Sequence, residues 1–311
     1  MKQPFPTSPD LTSVVMAYRN KRLIADEALP RFPVEKMNYR YSEYDLAEGF
    51  TVPDTLVGRK SAPNQVSFKT IGRDRSTSDY ALDDMVPVVD VENDPNGRDR
   101  VSRTSERLAD LIALDREIRT AELIFDAMQY PTGNKETLAG TDVFGDTANS
   151  DPIGAVTDAM DKLMMRPNVM VFGRDTFTRF ARHPQVVKAV NGTSGDSGFA
   201  RRQQVAELFE VDKVLVGEAF VNMKRPGQTP NLQRAWGPHL ALYYLDALGG
   251  PDENPSFGFT AQYGKRVAGD REDPDIGMRG GYRVRVGESV DEVVAAPMLG
   301  YFLENAGTDP A

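Results

Sequence analysis

The 311-residue sequence predicts an α+β fold, and three features of the chain support this. Residues 39–92 alternate apolar and polar side chains as β-strands do, residues 98–130 have helical spacing, and short helices and strands mix from residue 167 onward. Hydrophobic residues make up 40% and charged residues 27%, which is typical of a globular chain and excludes a disordered one. The 26 glycines and 21 prolines indicate many turns and long loops.

Residues 1–38 predict an extended arm with one short helix. Prolines interrupt this arm at positions 4, 6, 9, 30 and 33, and the helix is expected between them, at Leu11–Leu29, with Ser8 or Asp10 near its start. Because such a segment buries itself poorly, we expect it to stay mobile or to lie on a neighbouring subunit. Residues 1–40 carry seven Lys or Arg against four acids in a chain of net charge −9. A solvated arm explains this local excess of positive charge better than a DNA-binding arm does. DNA binding by the arm is kept as an alternative.

Residues 39–92 predict a long polar hairpin that projects from the body. Tyr39 and Tyr41 alternate with polar residues, as do Val66 and Phe68, and the stretch Gly58 to Asn64 is a turn-rich link between the two halves. The charges are too many and the large apolar residues too few for a core. A more apolar strand is expected to return from Met85 through Val91.

Residues 98–130 predict one long helix, roughly 45 Å at 1.5 Å per residue. Its predicted apolar stripe has spacings of 3 and 4 and consists of Leu111, Leu114, Ile118, Ala121, Phe125 and Met128. Such a helix is expected to act as the beam of the fold. A dimeric coiled coil remains the alternative, although the heptad fades before residue 108 and after residue 128.

The second half predicts a helix and then an α/β lobe. The helix is expected at residues 151–166, capped by Asp151 with Pro152 in the first turn and with the apolar face Ile153, Val156, Met160, Leu163 and Met164. Further helices are expected at 174–182 and 199–209. Strands are expected at 168–173, 213–223 with an irregularity at Gly217, 239–245, 257–263 and 281–305, with a polar loop at 265–281.

A search for chemistry finds no site. The absence of cysteine excludes disulfides, thiolate catalysis and cysteine-based metal centres. His183 and His239, the only histidines, are interpreted as structural or surface residues, and Ser194 lies in a loop without a histidine partner nearby in sequence. Phosphate-binding loops and the His-Glu-x-x-His pattern are absent. The sequence therefore predicts no catalytic residue and no cofactor-binding residue, and hence no enzyme.

The acidic clusters are interpreted as solvated loops. Glu272, Asp273 and Asp275 resemble oxygen ligands for a divalent cation, but a proline interrupts them and no calcium-loop pattern is present, so no metal site is predicted. Asp83 and Asp84 are similar. The single tryptophan, Trp236, is expected to be a packing anchor. The chain has neither an apolar signal core nor a run near the ~18–20 residues of a membrane span, so we expect a soluble protein made in the cytoplasm.

The order of these features, with four phrases of sequence, resembles the major capsid proteins of tailed bacteriophages with the Hong Kong 97-like fold. The resemblance covers nearly the whole chain. The phrases are Leu114-Asp-Arg-Glu-Ile-Arg, Asn149-Ser-Asp-Pro-Ile-Gly, Val216-Gly-Glu-Ala-Phe-Val-Asn, and the stretch from Val284 to Tyr301.

The resemblance implies a division into named parts. Residues 1–38 are then the N-terminal arm, 39–92 the E-loop hairpin with its return strand, 93–166 a P-domain containing the long spine helix, 167–280 the α/β A-domain, and 281–311 C-terminal strands that return to the P-domain. Some family members cross-link an E-loop lysine to a neighbouring asparagine. Lys60 and Lys69 lie in the loop, but no motif here matches that chemistry, so no cross-link is expected.

The implied function is a structural subunit of an icosahedral head, assembled from hexamers and pentamers around double-stranded DNA. The implied location is the virion capsid, with assembly in the cytoplasm of the host bacterium. Because the chain starts almost directly with the arm, the scaffold is expected to be a separate protein, with a portal and cement proteins as further partners and weak, non-specific contact with DNA. Two alternatives stay open: another phage component such as a tail or connector subunit, and a metal-dependent hydrolase.

Overall fold

The computed structural model describes residues 5–17, 20, 22–44, 52–59, 61–65, 70–94, 100–192, 197–224, 227–246 and 255–309. In these ranges the α-helices are α1 (Pro9–Ala17), α2 (Ala25–Ala28), α3 (Val88–Glu92), α4 (Arg100–Ile124), α5 (Pro152–Asp161), α6 (Arg174–Arg182), α7 (Pro184–Asn191) and α8 (Arg202–Phe209). The strands are β1 (Arg31–Val34), β2 (Asn38–Tyr44), β3 (Thr70–Ser76), β4 (Ser78–Pro87), β5 (Lys135–Thr137), β6 (Val169–Gly173), β7 (Lys213–Gly217), β8 (Phe220–Asn222), β9 (Leu232–Arg234), β10 (Leu240–Tyr243), β11 (Gly258–Asp273), β12 (Gly281–Val294) and β13 (Gly300–Glu304). Single turns of 3₁₀ helix lie at Ala127–Gln129, Thr132–Asn134, Gly140–Asp142 and Pro297–Leu299.

Two larger sheets organise the described strands. One has the order β1-β11-β12-β4, with β1 parallel to β11 and the other pairs antiparallel. The other has the order β5-β13-β10-β6-β7, in which β10 runs against its two neighbours and the outer pairs are parallel. Strand pairs β2-β3 and β8-β9 form separate hairpins. The α+β class predicted from the sequence is confirmed.

The long helix exists, but its buried face shares only Ala121 with the predicted stripe. Helix α4 packs on β12 and β4, and its buried residues are Thr104, Ser105, Leu108, Ala109, Ile112, Arg116, Glu117, Thr120, Ala121 and Ile124. Leu111, which the stripe placed inside, is 55% exposed, and Met128 is 83% exposed beyond the end of the helix. The buried face is rotated relative to the predicted stripe because the residues in its middle are charged or carry a hydroxyl group. A prediction from apolar spacing places such residues on the solvent side.

The N-terminal segment packs on its own subunit, so the expectation of an arm that buries little there is wrong for residues 5–34. Helix α1 lies against β11 and α4 and buries Leu11 and Val15. Helix α1 ends at Ala17 and α2 begins at Ala25; α2 buries Ala28, and Leu29 follows it into the core. The expected single helix Leu11–Leu29 is therefore two helices.

Strand β1 explains how this proline-containing segment joins the body. It lies at the edge of the four-stranded sheet, pairing only with β11. A proline removes a backbone donor, and an edge strand tolerates this loss because one side of the strand forms no ladder. Pro33 can therefore occupy the edge strand β1, whereas a central strand of the sheet would exclude a proline.

The predicted hairpin is confirmed in its stem, where β2 and β3 pair antiparallel from Asn38↔Ser76 to Tyr44↔Thr70. The alternating pair Val66 and Phe68 lies outside the described residues. The return strand begins earlier than expected, at Ser78, and ends at Pro87, after which Val88–Glu92 is the helix α3 instead of strand. Pro87 has no backbone donor to continue the ladder, and it stands at the N-cap of α3.

The predicted polar loop at 265–281 is wrong over most of its length. Strand β11 continues to Asp273 and pairs with β12, with a register shift between Tyr263 and Val267. Gly264, at a φ of +68°, provides the backbone conformation for that irregularity. The strand was missed because both faces carry charged residues in this part of the ribbon. Strand β11 lies in the same sheet as β12, whereas β13 lies in the five-stranded sheet.

The α/β lobe follows the sequence closely. Asp151 accepts a hydrogen bond from the Gly154 amide at 2.9 Å and caps α5, and α5 ends at Asp161, earlier than predicted. Strand β6 is buried throughout, and the break after Gly217 separates β7 from β8. Helix α7 is not among the predicted helices, because a proline directly after residues 174–182 indicates the end of a helix. Pro184 instead occupies the first turn of α7, where the missing amide costs nothing.

The rotated face of α4 predicts opposite outcomes for two adjacent substitutions. Ile112→Asp buries an unpaired carboxylate and should lower the free energy of unfolding by about 3 kcal/mol or more. Leu111→Asp places the same group in solvent and should change that energy by about 0.5 kcal/mol or less. Urea unfolding of the unassembled subunit measures both. Equal destabilisation by the two variants contradicts the assignment of the buried face.

Candidate functional site

A network of charged side chains lies where residues 24–31, α4, β11 and β12 meet. We call it the charge junction, and it consists of Asp26, Arg31, Arg116, Glu117, Arg266, Glu288 and Glu292. Removing charges from water is costly unless each is paired and hydrogen-bonded. The partners of these groups therefore decide how the N-terminal segment is held.

Glu117 joins three parts of the chain through one buried carboxylate. Its Oε2 accepts hydrogen bonds from the amides of Ile24 at 2.9 Å and Ala25 at 2.8 Å, at the start of α2. Its Oε1 accepts a hydrogen bond from Trp236 Nε1 at 2.6 Å. Burial raises the pKa of Glu117, and the hydrogen bonds from Trp236 and the two amides oppose that rise. The carboxylate fixes α2 and the lobe residue Trp236 to the spine helix.

Arg116, on the same turn, holds the end of α2. Its guanidinium is buried, and it donates to the carbonyl oxygen of Leu29 at 3.1 Å and to Thr260 Oγ1 at 2.9 Å. It also contacts Asp26, and its Nε lies 3.5 Å from Glu292. Glu117 therefore binds the amino end of α2, and Arg116 binds its carboxyl end.

Glu288 on β12 receives two arginines. Arg31 and Arg266 each lie 2.8 Å from its Oε2, and the carboxylate is buried. Burial by itself raises the pKa of Glu288, but the charges and hydrogen bonds of Arg31 and Arg266 outweigh it, so the pKa lies below its usual value. This ion pair fixes the start of β1 to the centre of the four-stranded sheet.

The β2-β3 hairpin is anchored at its base and exposed beyond it. Tyr39 donates to Asp291 at 2.7 Å, and Arg75 pairs with the same carboxylate at 2.8 Å. In the described part of the connection, Val52 is 87% and Leu56 is 86% exposed. These two large apolar side chains are therefore not covered by the subunit itself.

The two histidines have structural contacts. His183 is buried, its Nδ1 accepts the Gln185 amide at 3.3 Å and caps α7, and its Nε2 lies 3.2 Å from Ser150 Oγ. His239 accepts the Asn305 amide at 2.9 Å. Burial lowers the pKa of both imidazoles. Their side chains are thus engaged in local packing and capping.

Two of the acidic candidates form ion pairs with arginines. Asp273 pairs with Arg283 at 2.9 Å, and Asp83 pairs with Arg285 at 2.6 Å. Among the residues described, no three acidic or histidine side chains lie close enough together to hold a metal ion. No helix in the described ranges is both long enough and apolar enough to cross a bilayer. Ser194, Lys60 and Lys69 lie outside the described residues.

Sequence reasoning missed the charge junction, although Trp236 is the buried packing anchor that it predicted. A signal existed in the spacing of α4. Leu108, Ile112 and Ile124 lie in one line at multiples of four residues, and Arg116 falls in that line. A charged residue in an otherwise apolar line indicates a buried ion pair.

Replacing Glu117 should weaken the attachment of α2. Glu117→Ala leaves two amides and an indole N–H without an acceptor and should cost about 3 kcal/mol of unfolding free energy. Glu117→Gln keeps one acceptor oxygen and should cost less. Glu122→Ala, at an exposed position of the same helix, is the control and should have little effect. Urea unfolding followed by tryptophan fluorescence reports on Trp236 directly. An unchanged free energy of unfolding in Glu117→Ala contradicts the role of this carboxylate.

Glu288 should make stability depend on pH in the acid range. Because its folded-state pKa lies below the unfolded value of about 4.3, the ionised group stabilises the fold above that pH, and the stabilisation is lost as the pH falls through the folded-state pKa. Glu288→Gln should therefore flatten the decline in unfolding free energy between about pH 5 and about pH 3. Glu122→Gln serves as the control, and an unchanged slope in Glu288→Gln argues against the ion pair.

Comparison with known proteins identifies the family. A family model described as phage major capsid protein E matches residues 107–225. The major capsid protein of Pseudomonas phage JBD67 is 52% identical over 303 residues, which cover 97% of this chain and 98% of that protein. The major capsid protein of Burkholderia phage BcepMu is 27% identical over 263 residues, covering 81% and 82% of the two chains.

Solved structures agree in fold. A phage-related protein from Bordetella bronchiseptica has a TM-score of 0.78 at 23% identity, covering 99% of this chain and 100% of that one. The capsid of cyanophage P-SCSP1u has a TM-score of 0.59 at 11% identity, covering 93% and 89%. The predicted resemblance to phage major capsid proteins is thus confirmed, and the alternative of a tail or connector subunit is not supported. Because its identity to a phage major capsid protein exceeds half over nearly the full length of both chains, the chain belongs to the family of phage major capsid proteins and is a structural subunit of the shell.

Proposed function

We propose that this subunit builds an icosahedral head of the Hong Kong 97-like type, as hexamers and pentamers that enclose double-stranded DNA. The observation that carries the proposal is the exposed hairpin. Its base is anchored on β12 through Asp291, while Val52 and Leu56 beyond the base are in water. In a shell, the hairpin would contact a neighbouring copy of the chain, and symmetry repeats each weak contact many times.

The proposed parts follow the sequence division, with two adjustments. Residues 39–92 form the E-loop and its return strand, and 93–166 contain the spine helix of the P-domain. In the division that we propose, β11 goes with β12 to the P-domain, because the two share a sheet, and β13 goes to the A-domain. Residues 281–294 remain C-terminal strands of the P-domain. The arm, 1–38, is held on its own subunit by α1 and by residues 24–34.

The subunit acts mechanically and catalyses no reaction in this proposal. Support comes from the side chains that resemble catalytic groups. His183 caps a helix, His239 binds a backbone amide, and Asp273 pairs with an arginine. In the described ranges these groups are engaged inside the protein.

Assembly is proposed to take place in the cytoplasm of the host bacterium, with a separate scaffold protein, a portal and cement proteins as partners. Contact with the packaged DNA is weak and non-specific. The net charge of −9 supports this, because an acidic surface does not grip phosphates strongly.

Negative-stain microscopy of the purified wild-type protein tests the proposed function. Closed shells are the expected result, and rings or tubes as the sole product contradict it. Coexpression with the phage scaffold gene is included, because a separate scaffold is part of the proposal.

Leu56→Glu tests the hairpin contact. The substitution places a charge in the proposed contact and should reduce the yield of shells roughly tenfold, the effect of about 1.4 kcal/mol per contact. Leu56→Met keeps an apolar side chain and should assemble as the wild type. The unfolding free energy should stay within about 0.5 kcal/mol, because Leu56 is exposed in the free subunit. Normal shells from Leu56→Glu contradict the contact.

A further inference from the structure

The far half of strand β11 has an open edge. On one side β12 pairs with β11 from Gly258 to Asp273, but on the other side β1 pairs only with Thr260–Tyr263. From Val267 to Asp273, no strand among the described residues pairs with this second side, which we call the open edge. The amide and carbonyl groups along such an edge are a template on which another strand can pair.

The backbone hydrogen bonds of Ala268 show which groups face the open edge. Its carbonyl oxygen accepts a hydrogen bond from the Ser8 amide at 3.0 Å, and its amide donates to Thr12 Oγ1 at 3.2 Å. Both groups therefore point away from β12. Because residues of an antiparallel ladder alternate between facing the partner and facing away, the backbone groups of Asp270 and Glu272 face the open edge as well.

Residues 5–15 wrap around this edge, and we call them the clip. On one face of the ribbon, the centre of the Phe5 ring lies 4.5 Å from the guanidinium of Arg285. On the other face, Leu11 is buried in an apolar cluster with Val284. Positions 284 and 285 are successive in β12, so their side chains point to opposite faces of the sheet. The clip therefore passes from one face to the other across the edge.

Gly269 allows the clip to cross the ribbon. A β-carbon at this position would collide with the backbone oxygen of Pro6 and would lie 3.1 Å from the Cα of Thr7. A glycine inside a strand weakens that strand, and it often marks a place where another backbone approaches closely. The crossing of the clip explains why a glycine occupies this position.

We propose that the clip closes the open edge against a second copy of the chain and so prevents free subunits from pairing strand to strand. The partner that it excludes is the same edge of the second copy. Antiparallel pairing of two identical edges provides partners for the backbone groups of Asp270 and Glu272 in both copies, and it closes at a dimer. With the clip in place this pairing is blocked, because Ser8 and Thr12 occupy both backbone groups of Ala268.

Charged side chains on the ribbon oppose the same pairing. Asp270 and Glu272 point to one face, so two edges that meet bring like charges together, and charges of this kind protect strand edges. Arg271, between them in sequence, points to the opposite face. Salt screens the repulsion between the acids, so pairing of two open edges should become stronger as the salt concentration rises.

Gly269→Ala tests the clip at the point where it crosses the ribbon. The added β-carbon must displace Pro6 and Thr7, which leaves the edge open. At a concentration at which the wild type is monomeric, gel filtration with light scattering should show a dimer, formed roughly tenfold more tightly than by the wild type and favoured by NaCl. Gly133→Ala is the matched control, because a β-carbon there meets no other atom, and it should stay monomeric.

Hydrogen–deuterium exchange of residues 268–272 shows whether the dimer forms through the open edge. These amides should exchange faster than in the wild type when Gly269→Ala is monomeric, and slowly when it is dimeric. A displaced clip without a dimer overturns the proposal, and so does a dimer in which these amides stay unprotected. Exchange as slow in the monomeric variant as in the wild type shows that the clip does not depend on Gly269, which also overturns the proposal.

Thr12→Val gives a second test that leaves the ribbon itself unchanged. Valine keeps the shape of threonine but removes the hydroxyl that binds both backbone groups of Ala268, at 3.2 Å and 3.1 Å. Exchange at Ala268 should become faster and the dimer tighter, by less than in Gly269→Ala, because Leu11 still anchors the clip. Thr12→Ser keeps the hydroxyl and should behave as the wild type. Equal behaviour of Thr12→Val and Thr12→Ser overturns the proposal.

This inference goes beyond the proposed function, because it concerns the subunit before assembly. A monomeric Gly269→Ala with an exposed edge overturns the role of the clip and leaves the shell function standing. A wild-type protein that forms no shells overturns the proposed function and leaves the role of the clip to be decided by the dimer measurements alone.

Discussion

The subunit depends on the burial of one carboxylate. Glu117 is fully buried, so its three hydrogen-bond donors must stay in place. Two of them are the amides of Ile24 and Ala25 at the start of α2, and the third is the indole N–H of Trp236 in the α/β lobe. Helix α2, the spine helix and Trp236 therefore cannot move independently without exposing a polar group. Arg116 and Glu288 extend this constraint to the end of α2 and to β1. The arm is thus part of the rigid body.

This constraint divides the chain into a preformed block and a projecting hairpin. The block contains the spine helix, the two larger sheets and residues 24–34. The hairpin joins it through the Asp291 contacts, beyond which Val52 and Leu56 remain exposed. In the proposed shell, the block keeps its shape and the hairpin gains burial from neighbouring copies, with each contact repeated by symmetry.

The sequence predicts the fold class, the long helix, the hairpin stem and the α/β lobe, because each has a periodicity of its own. It fails where polar residues are buried. Arg116 and Glu117 are charged and lie inside, so the apolar stripe was drawn through Leu111, on the wrong face of the helix. The far half of β11 was missed for a different reason: it is an exposed ribbon with charged residues on both faces, so it lacks the apolar alternation that indicates a strand. The prediction that the arm lies on neighbouring subunits is wrong because Ala28 and Leu29 are buried in the core of their own subunit. The order of elements along the sequence does not reveal this contact.

Hydrogen–deuterium exchange of the free subunit and of assembled shells tests the account most directly. The account predicts slow exchange of residues 24–34 in both states, since the charge junction holds them inside the subunit. It predicts fast exchange of residues 52–65 in the free subunit and slow exchange in the shell, since neighbouring copies then cover them. Fast exchange of residues 24–34 in the free subunit, with protection only after assembly, would show that the arm is a strap between subunits and would contradict the account.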